Sequence, residues 1–197
     1  MQHLFDTLGR KGKETSLASL AGLVLLTAFL YAFSGQLSFS AAVSNQIVTP
    51  VFFAAEGFAL AAVLLFGPKM ALGVFVGQLA LALFNGLGLA PASLISLINS
   101  IEALIGYFIF RMFRLDVRIA TPRDLIGLLG IIFLILQPFS ATLGNLVLWY
   151  FDILLSWEDY LLSWESWWLG NCMGQAHLAP ALLFMASQPV ERVKQLG

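Results

Sequence analysis

The chain has 197 residues, of which 59% are hydrophobic and only 11% are charged, and its mean hydropathy is +0.88. A water-soluble domain carries about a quarter charged residues, so this composition excludes one and favours a protein that faces lipid. The net charge of −1 gives no indication of nucleic-acid binding, and a single cysteine excludes an intramolecular disulfide. We expect one all-α membrane domain over residues 17–187, with short cytoplasmic segments at 1–16 and 188–197.

Six segments qualify as membrane spans, because about 20 mostly apolar residues cross roughly 30 Å of hydrocarbon. The first is expected to be a retained span and not a cleaved signal peptide, since its apolar run is long enough to cross. The third is short, and the fifth carries Gln137-Pro138 at its centre, where proline removes a backbone donor and predicts a kink. In chain order the predicted spans are Leu17–Phe33, Thr49–Phe66, Met70–Phe84, Pro91–Phe113, Leu125–Tyr150 and Trp167–Met185.

Basic residues determine the expected topology of this polytopic helical bundle. With six spans, all ten lysines and arginines lie on one face, and the three loops of the other face contain none. The positive-inside rule makes the basic face cytoplasmic, which predicts both termini on the inner side of a bacterial cytoplasmic (inner) membrane. The ten residues are Arg10, Lys11, Lys13, Lys69, Arg111, Arg114, Arg118, Arg123, Arg192 and Lys194.

A seven-residue repeat occupies the outer loop Phe151–Ser166, where Leu-Leu-Ser-Trp-Glu stands at 154–158 and again at 161–165. Its leucines and tryptophans share one helical stripe, which predicts an amphipathic helix at the outer interface with its rings at headgroup level. Such a helix would serve either as a membrane-anchoring belt or as a lid that recognises a ligand. The stripe consists of Leu154, Trp157, Leu161, Trp164 and Trp168.

Polar side chains occur at membrane depth, where each is costly and needs a reason. Ser96, Asn99 and Glu102 follow one another at spacings of three along one face of span four, and Asn171 and Gln175 share a face of span six. Two interpretations are open: these side chains hold the bundle together by hydrogen bonds, or they form a polar interior that binds a small ligand or a proton. The other members are Glu56, Gln78, Gln137, Ser140, Thr142, Asn145 and His177.

The two buried glutamates favour the second interpretation. A carboxyl group in hydrocarbon either stays neutral or takes a partner, and His177 is the partner that the sequence offers to Glu56 or Glu102.

Two G-x-x-x-G pairs lie in the spans, Gly73 with Gly77 and Gly170 with Gly174. Small residues at this spacing let helices approach closely. The pattern is common in membrane helices, so on its own it does not establish dimerisation.

Sequence motifs of enzymes and metal sites are missing: there is no phosphate-binding loop, no H-E-x-x-H and no cysteine pair. Exosortase-like peptidases use Cys, Arg and His, which here would be Cys172, Arg111 and His177. The predicted topology places Arg111 at the cytoplasmic end of span four and Cys172 near the outer end of span six. We therefore expect no catalytic activity, no metal and no cofactor.

Three stretches, in order, resemble the first class of bacterial membrane-associated sensor domains, the MASE type. Residues 50–67 begin with Pro-Val-Phe-Phe-Ala-Ala-Glu-Gly-Phe and are similar to the family's opening motif. Residues 99–104 resemble its Asn-x-x-Glu helix, and residues 167–174, followed by Pro180, resemble its W-x-G-D-x-x-G…P element. Together the stretches cover most of the chain.

The sequence departs from the family pattern at two places. Phe53-Ala54-Ala55 stands where the family has W-P-P, with Glu56 following it, and Asn171 stands where the family has aspartate. Domains of this family are typically the input ends of histidine kinases and diguanylate cyclases. The resemblance therefore implies a sensory membrane domain that is free-standing, is excised from a longer protein, or holds a membrane partner.

The leading hypothesis is a non-catalytic sensor or binding module that recognises a small ligand or membrane partner in its interior and relays this through its last span. The alternative is a small-molecule transporter or substrate-binding membrane subunit, because interrupted and short spans are typical of transporters. The expected partners are the lipid bilayer and either a signalling or membrane protein or a second copy of this chain. The residues assigned to the ligand site are Glu56, Asn99, Glu102, Trp168, Asn171, Gln175 and His177.

Overall fold

A computed structural model describes residues 17–42 and 52–188, and every regular element within these ranges is helical. A 3-10 turn at Pro68–Met70 leads into α3, and a π-helical turn at Ile132–Leu136 joins α5 to α6. The terminal segments, with the basic residues before 17 and after 188, lie outside the described residues. The helices are α1 (Leu17–Ala42), α2 (Ala54–Phe66), α3 (Ala71–Phe84), α4 (Leu89–Met112), α5 (Pro122–Ile131), α6 (Gln137–Tyr150) and α7 (Trp157–Ser187).

Three stretches of helix are long and apolar enough to cross a membrane: Leu17–Ser40, Leu89–Met112 and Pro122–Tyr150. Two shorter apolar stretches, Ala54–Phe66 and Pro68–Phe84, lie between the first and second of these. At 1.5 Å per residue α2 is about 20 Å long, which is less than the hydrocarbon thickness. The all-helical membrane architecture predicted from composition is confirmed.

The helices form a closed ring. Going round it, α1 packs against α3, α3 against α4, α4 against α6, α6 against α7, α7 against α2, and α2 returns to α1. Helix α2 also contacts α4 across the ring. Buried apolar side chains such as Leu60, Phe110 and Leu136 belong to the main hydrophobic core.

Helix α1 has a polar face that is buried in the bundle and an apolar face that is exposed on its outside. Thr27, Tyr31, Ser34 and Ser38 follow one another at spacings of three and four and are all buried. The hydroxyl of Ser38 accepts a hydrogen bond from the N–H of Ala54, the first residue of α2, at 3.1 Å. An outward apolar face is what lipid requires of a helix. The exposed apolar side chains of α1 are Leu17, Leu25, Leu26, Phe29, Phe33 and Leu37.

Both G-x-x-x-G pairs face partners within this chain. The pair in α3 faces α1, and a Cβ atom at Gly77 would lie 2.6 Å from the carbonyl oxygen of Ala28. The pair in α7 faces the start of α2, where the N–H of Phe53 donates to the carbonyl of Gly170 at 2.9 Å. These glycines therefore serve close packing inside the ring.

The break predicted in the fifth span takes the form of the π turn Ile132–Leu136, immediately before Gln137-Pro138. Proline cannot donate to the carbonyl one turn earlier, and its ring clashes with that carbonyl in a regular α-helix. A π turn widens the helix and relieves the clash. One carbonyl inside the turn, that of Phe133, instead accepts a hydrogen bond from the indole N–H of Trp168 at 3.4 Å.

The repeat-containing outer segment is helical, but it does not form a helix of its own as predicted. It is the first part of α7, which runs unbroken from Trp157 to Ser187. A capping box of Ser156 and Asp159 starts the helix, and no glycine or proline interrupts it before the sixth predicted span. The segment also packs on α6, where the hydroxyl of Tyr160 donates to the carbonyl of Thr142 at 3.3 Å.

Candidate functional site

A network of buried polar side chains in two hydrogen-bonded halves lies inside the ring. In its first half, the hydroxyl of Tyr31 donates to Oε1 of Glu56, which links α1 to α2. The Nδ2 atom of Asn99, from α4, lies 3.1 Å from the same carboxylate oxygen and 3.0 Å from the hydroxyl of Tyr31. Because each of the three side chains is at most 1% exposed, these bonds form away from solvent.

The second half of this polar network centres on Glu102 of α4. Its Oε1 atom accepts one hydrogen bond from Nε2 of Gln137 at 2.7 Å and another from Nε2 of Gln175 at 2.8 Å. Gln137 directly follows the π turn, and Gln175 lies in the last helix, so one oxygen atom joins three elements. Gln175 and Ser140 also face the carboxylates of Glu56 and Glu102 respectively. The two halves together take side chains from α1, α2, α4, α6 and α7.

Hydrogen-bond acceptors outnumber donors around Glu102. Four buried oxygens have no hydrogen-bond partner: Oε2 of Glu102 and the amide oxygens of Asn99, Gln137 and Gln175. An unsatisfied buried polar group costs about 1–3 kcal/mol, and most buried polar groups in proteins are paired. Unpaired acceptors on and beside a buried carboxyl group are groups that a bound ligand could satisfy. This cluster is therefore the candidate functional site.

No basic side chain within the described ranges forms an ion pair with either buried carboxyl group. The ion pair found there is Arg118 with Asp116, at 2.7 Å, in the loop between α4 and α5. There the guanidinium of Arg118 donates hydrogen bonds to the carboxyl of Asp116 and lowers its pKa. The negative charge of the two buried carboxyl groups therefore has to be neutralised by protons, by a ligand, or by both.

Four of the seven residues predicted for the site meet in this network: Glu56, Asn99, Glu102 and Gln175. The face predicted for span four is confirmed, since Ser96, Asn99 and Glu102 are all buried.

Two further predicted residues lie beside the network without joining it. Asn171 is one turn before Gln175 and only 4% exposed, and its Nδ2 atom has no hydrogen-bond partner. Trp168 is half-buried and touches the π turn instead of the carboxyl groups: its ring lies edge-on to that of Phe133, with centroids 5.9 Å apart. Trp168 thus connects α7 to the break in the fifth span.

His177 does not belong to the interior, and its predicted pairing with a buried glutamate is wrong. Its ring is exposed, Nδ1 lies 2.8 Å from the carbonyl oxygen of Met173, and the ring stands edge-on to Phe52. The reason is helical geometry: two residues turn a helix by about 200°, so His177 lies nearly opposite Gln175. It also lies apart from Cys172, which is fully buried.

Sequence reasoning assigned neither Tyr31 nor Gln137 to the site. Tyrosine normally lies at a membrane interface, so a tyrosine near the middle of a spanning helix signals a buried hydrogen-bond partner. Thr27, Ser34 and Ser38 at helical spacing around Tyr31 would have marked the inward face of α1. Gln137 belongs to the predicted polar set and to the predicted kink, but not to the residues assigned to the ligand site.

A protein-family comparison agrees with the three motif stretches. The family model for MASE1 matches residues 21–197, nearly the whole chain. Neither a curated protein nor a solved structure gives a match to this chain. MASE1 domains are sensory and not catalytic. The chain therefore belongs to the MASE1 family of membrane-associated sensor domains.

Proposed function

We propose that this chain is a non-catalytic sensor of the bacterial inner membrane that recognises a small ligand or membrane partner in its polar interior. Recognition is relayed to the cytoplasmic side by α7. The observation that carries the proposal is the contact shared at Glu102, whose Oε1 atom holds both Gln137, next to the π turn, and Gln175 of α7. A ligand that alters the hydrogen bonds of this carboxyl group acts on the π-turn region and on α7 at the same time.

The orientation in this proposal has six spans with both ends cytoplasmic. Lys69 lies in the turn between α2 and α3, and Arg114 and Arg118 lie between α4 and α5, whereas the turns before α4 and before α7 contain no lysine or arginine. The positive-inside rule then places the end of α7 in the cytoplasm. The partner that reads this end is a signalling protein, another membrane protein or a second copy of the chain.

The relay uses the continuity of α7. From Gln175 the helix continues to Ser187, about 18 Å further along its axis. A ligand shifts such a helix only if it binds one of two arrangements more tightly than the other. The π turn supplies the alternative arrangement, because π turns are rare, are frequent at functional sites, and differ from an α-helix by one residue of register.

The competing function is that of a transporter, which the interrupted fifth span suggests. The packing of the break favours sensing: Ile132 and Leu136 are fully buried, and the carbonyl of Phe133 is taken by Trp168. In transporters the freed backbone groups of a broken helix coordinate the substrate.

The relay is tested by measuring the distance between spin labels at the cytoplasmic ends of α4 and α7. Met112→Cys and Met185→Cys provide exposed labelling positions, in a Cys172→Ala background and in lipid nanodiscs. Gln175→Leu removes the link between α7 and Glu102 at similar side-chain size. We expect this variant to change the distance distribution measured by double electron–electron resonance.

The matched control is Glu165→Gln, which alters an exposed residue of the same helix. It is expected to leave the distribution as in the parent protein. Identical distributions for the parent, the control and Gln175→Leu would rule out a relay through this contact.

A further inference from the structure

Four buried oxygens, Oε2 of Glu102 and the amide oxygens of Asn99, Gln137 and Gln175, have no hydrogen-bond partner, although the hydroxyl of Ser140 also faces the Glu102 carboxylate. Gln137 and Gln175 both turn their NH2 groups to Oε1 of Glu102, which leaves their own oxygens beside that carboxylate. Asn99 lies one turn before Glu102 on the same face, and its Nδ2 atom is occupied by Tyr31 and Glu56. Its amide oxygen is buried and has no hydrogen-bond partner.

Such a set selects the chemical class of its ligand. Only a cation or a pure donor satisfies four acceptors, and the ligand must be small because all four atoms are shielded from solvent. Carboxylate and carbonyl oxygens are the preferred ligands of hard cations.

The charge of the set favours a monovalent ion. It combines one carboxylate oxygen with three neutral amide oxygens, and Glu56 already has the donors Tyr31 and Asn99. Residues 17–42 and 52–188 contain no group of three or more His, Cys, Asp or Glu side chains that could hold a metal ion. Divalent and transition-metal sites in proteins usually draw on such groups.

We propose that this interior site binds a small monovalent metal cation, for which sodium is the probe, through the oxygens of Glu102, Gln137, Gln175 and Asn99. The inference rests on the proposed function, because it names the ligand class of the same site. The ion ties α4, the end of the π turn and α7 to one centre, which gives it the means to favour one helix arrangement.

Protons compete with sodium at this site, because protonation of Glu102 neutralises the oxygen that carries the charge. Affinity for sodium should therefore fall as the pH is lowered. The groups that face Glu102 from the neighbouring helices are Glu56 of α2, Gln137 and Ser140 of α6, and Gln175 and Cys172 of α7, with Tyr31 of α1 bonded to Glu56.

The experiment measures binding of radioactive sodium to the purified full chain in lipid nanodiscs by scintillation proximity, with choline keeping the ionic strength constant. We expect saturable binding that unlabelled sodium and acid displace and choline does not. Glu102→Gln keeps the size of the side chain and removes the charge, so it should weaken binding about tenfold or more. Glu165→Gln, at an exposed position, should bind like the parent.

A thermal-unfolding measurement gives a second readout, because a ligand that binds only the folded state raises the unfolding midpoint. Sodium should raise the midpoint of the parent chain more than that of Glu102→Gln. Absence of saturable sodium binding by the parent chain, or equal affinity in Glu102→Gln, would overturn the cation site. If it is overturned while Gln175→Leu still changes the spin-label distances, the sensor proposal stands without it.

Discussion

Replacing Glu102 with leucine is expected to lower the free energy of unfolding by about 2–6 kcal/mol, since two buried amides lose their acceptor at about 1–3 kcal/mol each. Those amides belong to Gln137 and Gln175, whose Nε2 atoms both donate to Oε1 of Glu102. Equilibrium unfolding of the purified chain in mixed detergent micelles measures the loss.

The control for this prediction removes the orphaned amides as well. In the triple variant Glu102→Leu/Gln137→Leu/Gln175→Leu neither glutamine donor remains, and replacing both partners of a buried hydrogen bond is nearly neutral. We expect it to recover most of the stability that the single variant loses. A single variant as stable as the parent would show that the Glu102 contacts contribute nothing to the fold.

Substituting Gly174 with alanine is expected to lower the free energy of unfolding by about 3 kcal/mol, at the upper end of what overpacking a core usually causes. The new Cβ atom would lie 2.5 Å from the carbonyl carbon of Phe53, which is backbone and cannot rotate away. The hydrogen bond from the N–H of Phe53 to the carbonyl of Gly170 holds the residue that precedes α2 in place. The same micelle unfolding experiment measures this effect.

Gly130→Ala is the matched control, because a Cβ atom there meets nothing within 4 Å. It adds a methyl group to a helix at an open position, and alanine is a better helix former than glycine by about 1 kcal/mol. Equal losses in the two variants would contradict the close crossing of α2 and α7.

Periodicity made much of this fold predictable. The spacings of three among Ser96, Asn99 and Glu102 identified the inward face of α4, because a polar side chain in a membrane turns away from lipid. Gln137-Pro138 identified the position of the break in the fifth span, because proline cannot continue the hydrogen-bond ladder of an α-helix. Both features follow from local chemistry.

Features that depend on contacts between helices could not be predicted from the sequence. Nothing local indicates that the Gly174 pair faces α2 instead of a second chain, since the same spacing serves both purposes. Nor does the amphipathic repeat reveal that α7 continues through it, because contacts of Tyr160 and Trp164 with α6 hold it in line. The residue type of His177 suggested a partner for the buried glutamates, but its rotation from Gln175 along the helix places it on the opposite side.

We propose that the polar network lies inside a six-span bundle whose basic face, with the end of α7, is cytoplasmic. Labelling of single cysteines with a membrane-impermeant maleimide on intact spheroplasts tests it most directly. In a Cys172→Ala background, Gly88→Cys and Glu158→Cys occupy exposed positions on the proposed outer face, and Lys69→Cys and Arg118→Cys occupy exposed positions on the proposed cytoplasmic face. We expect labelling of positions 88 and 158 in intact spheroplasts and of positions 69 and 118 only after lysis. Labelling of 69 or 118 before lysis, or protection of 88 or 158, would contradict it.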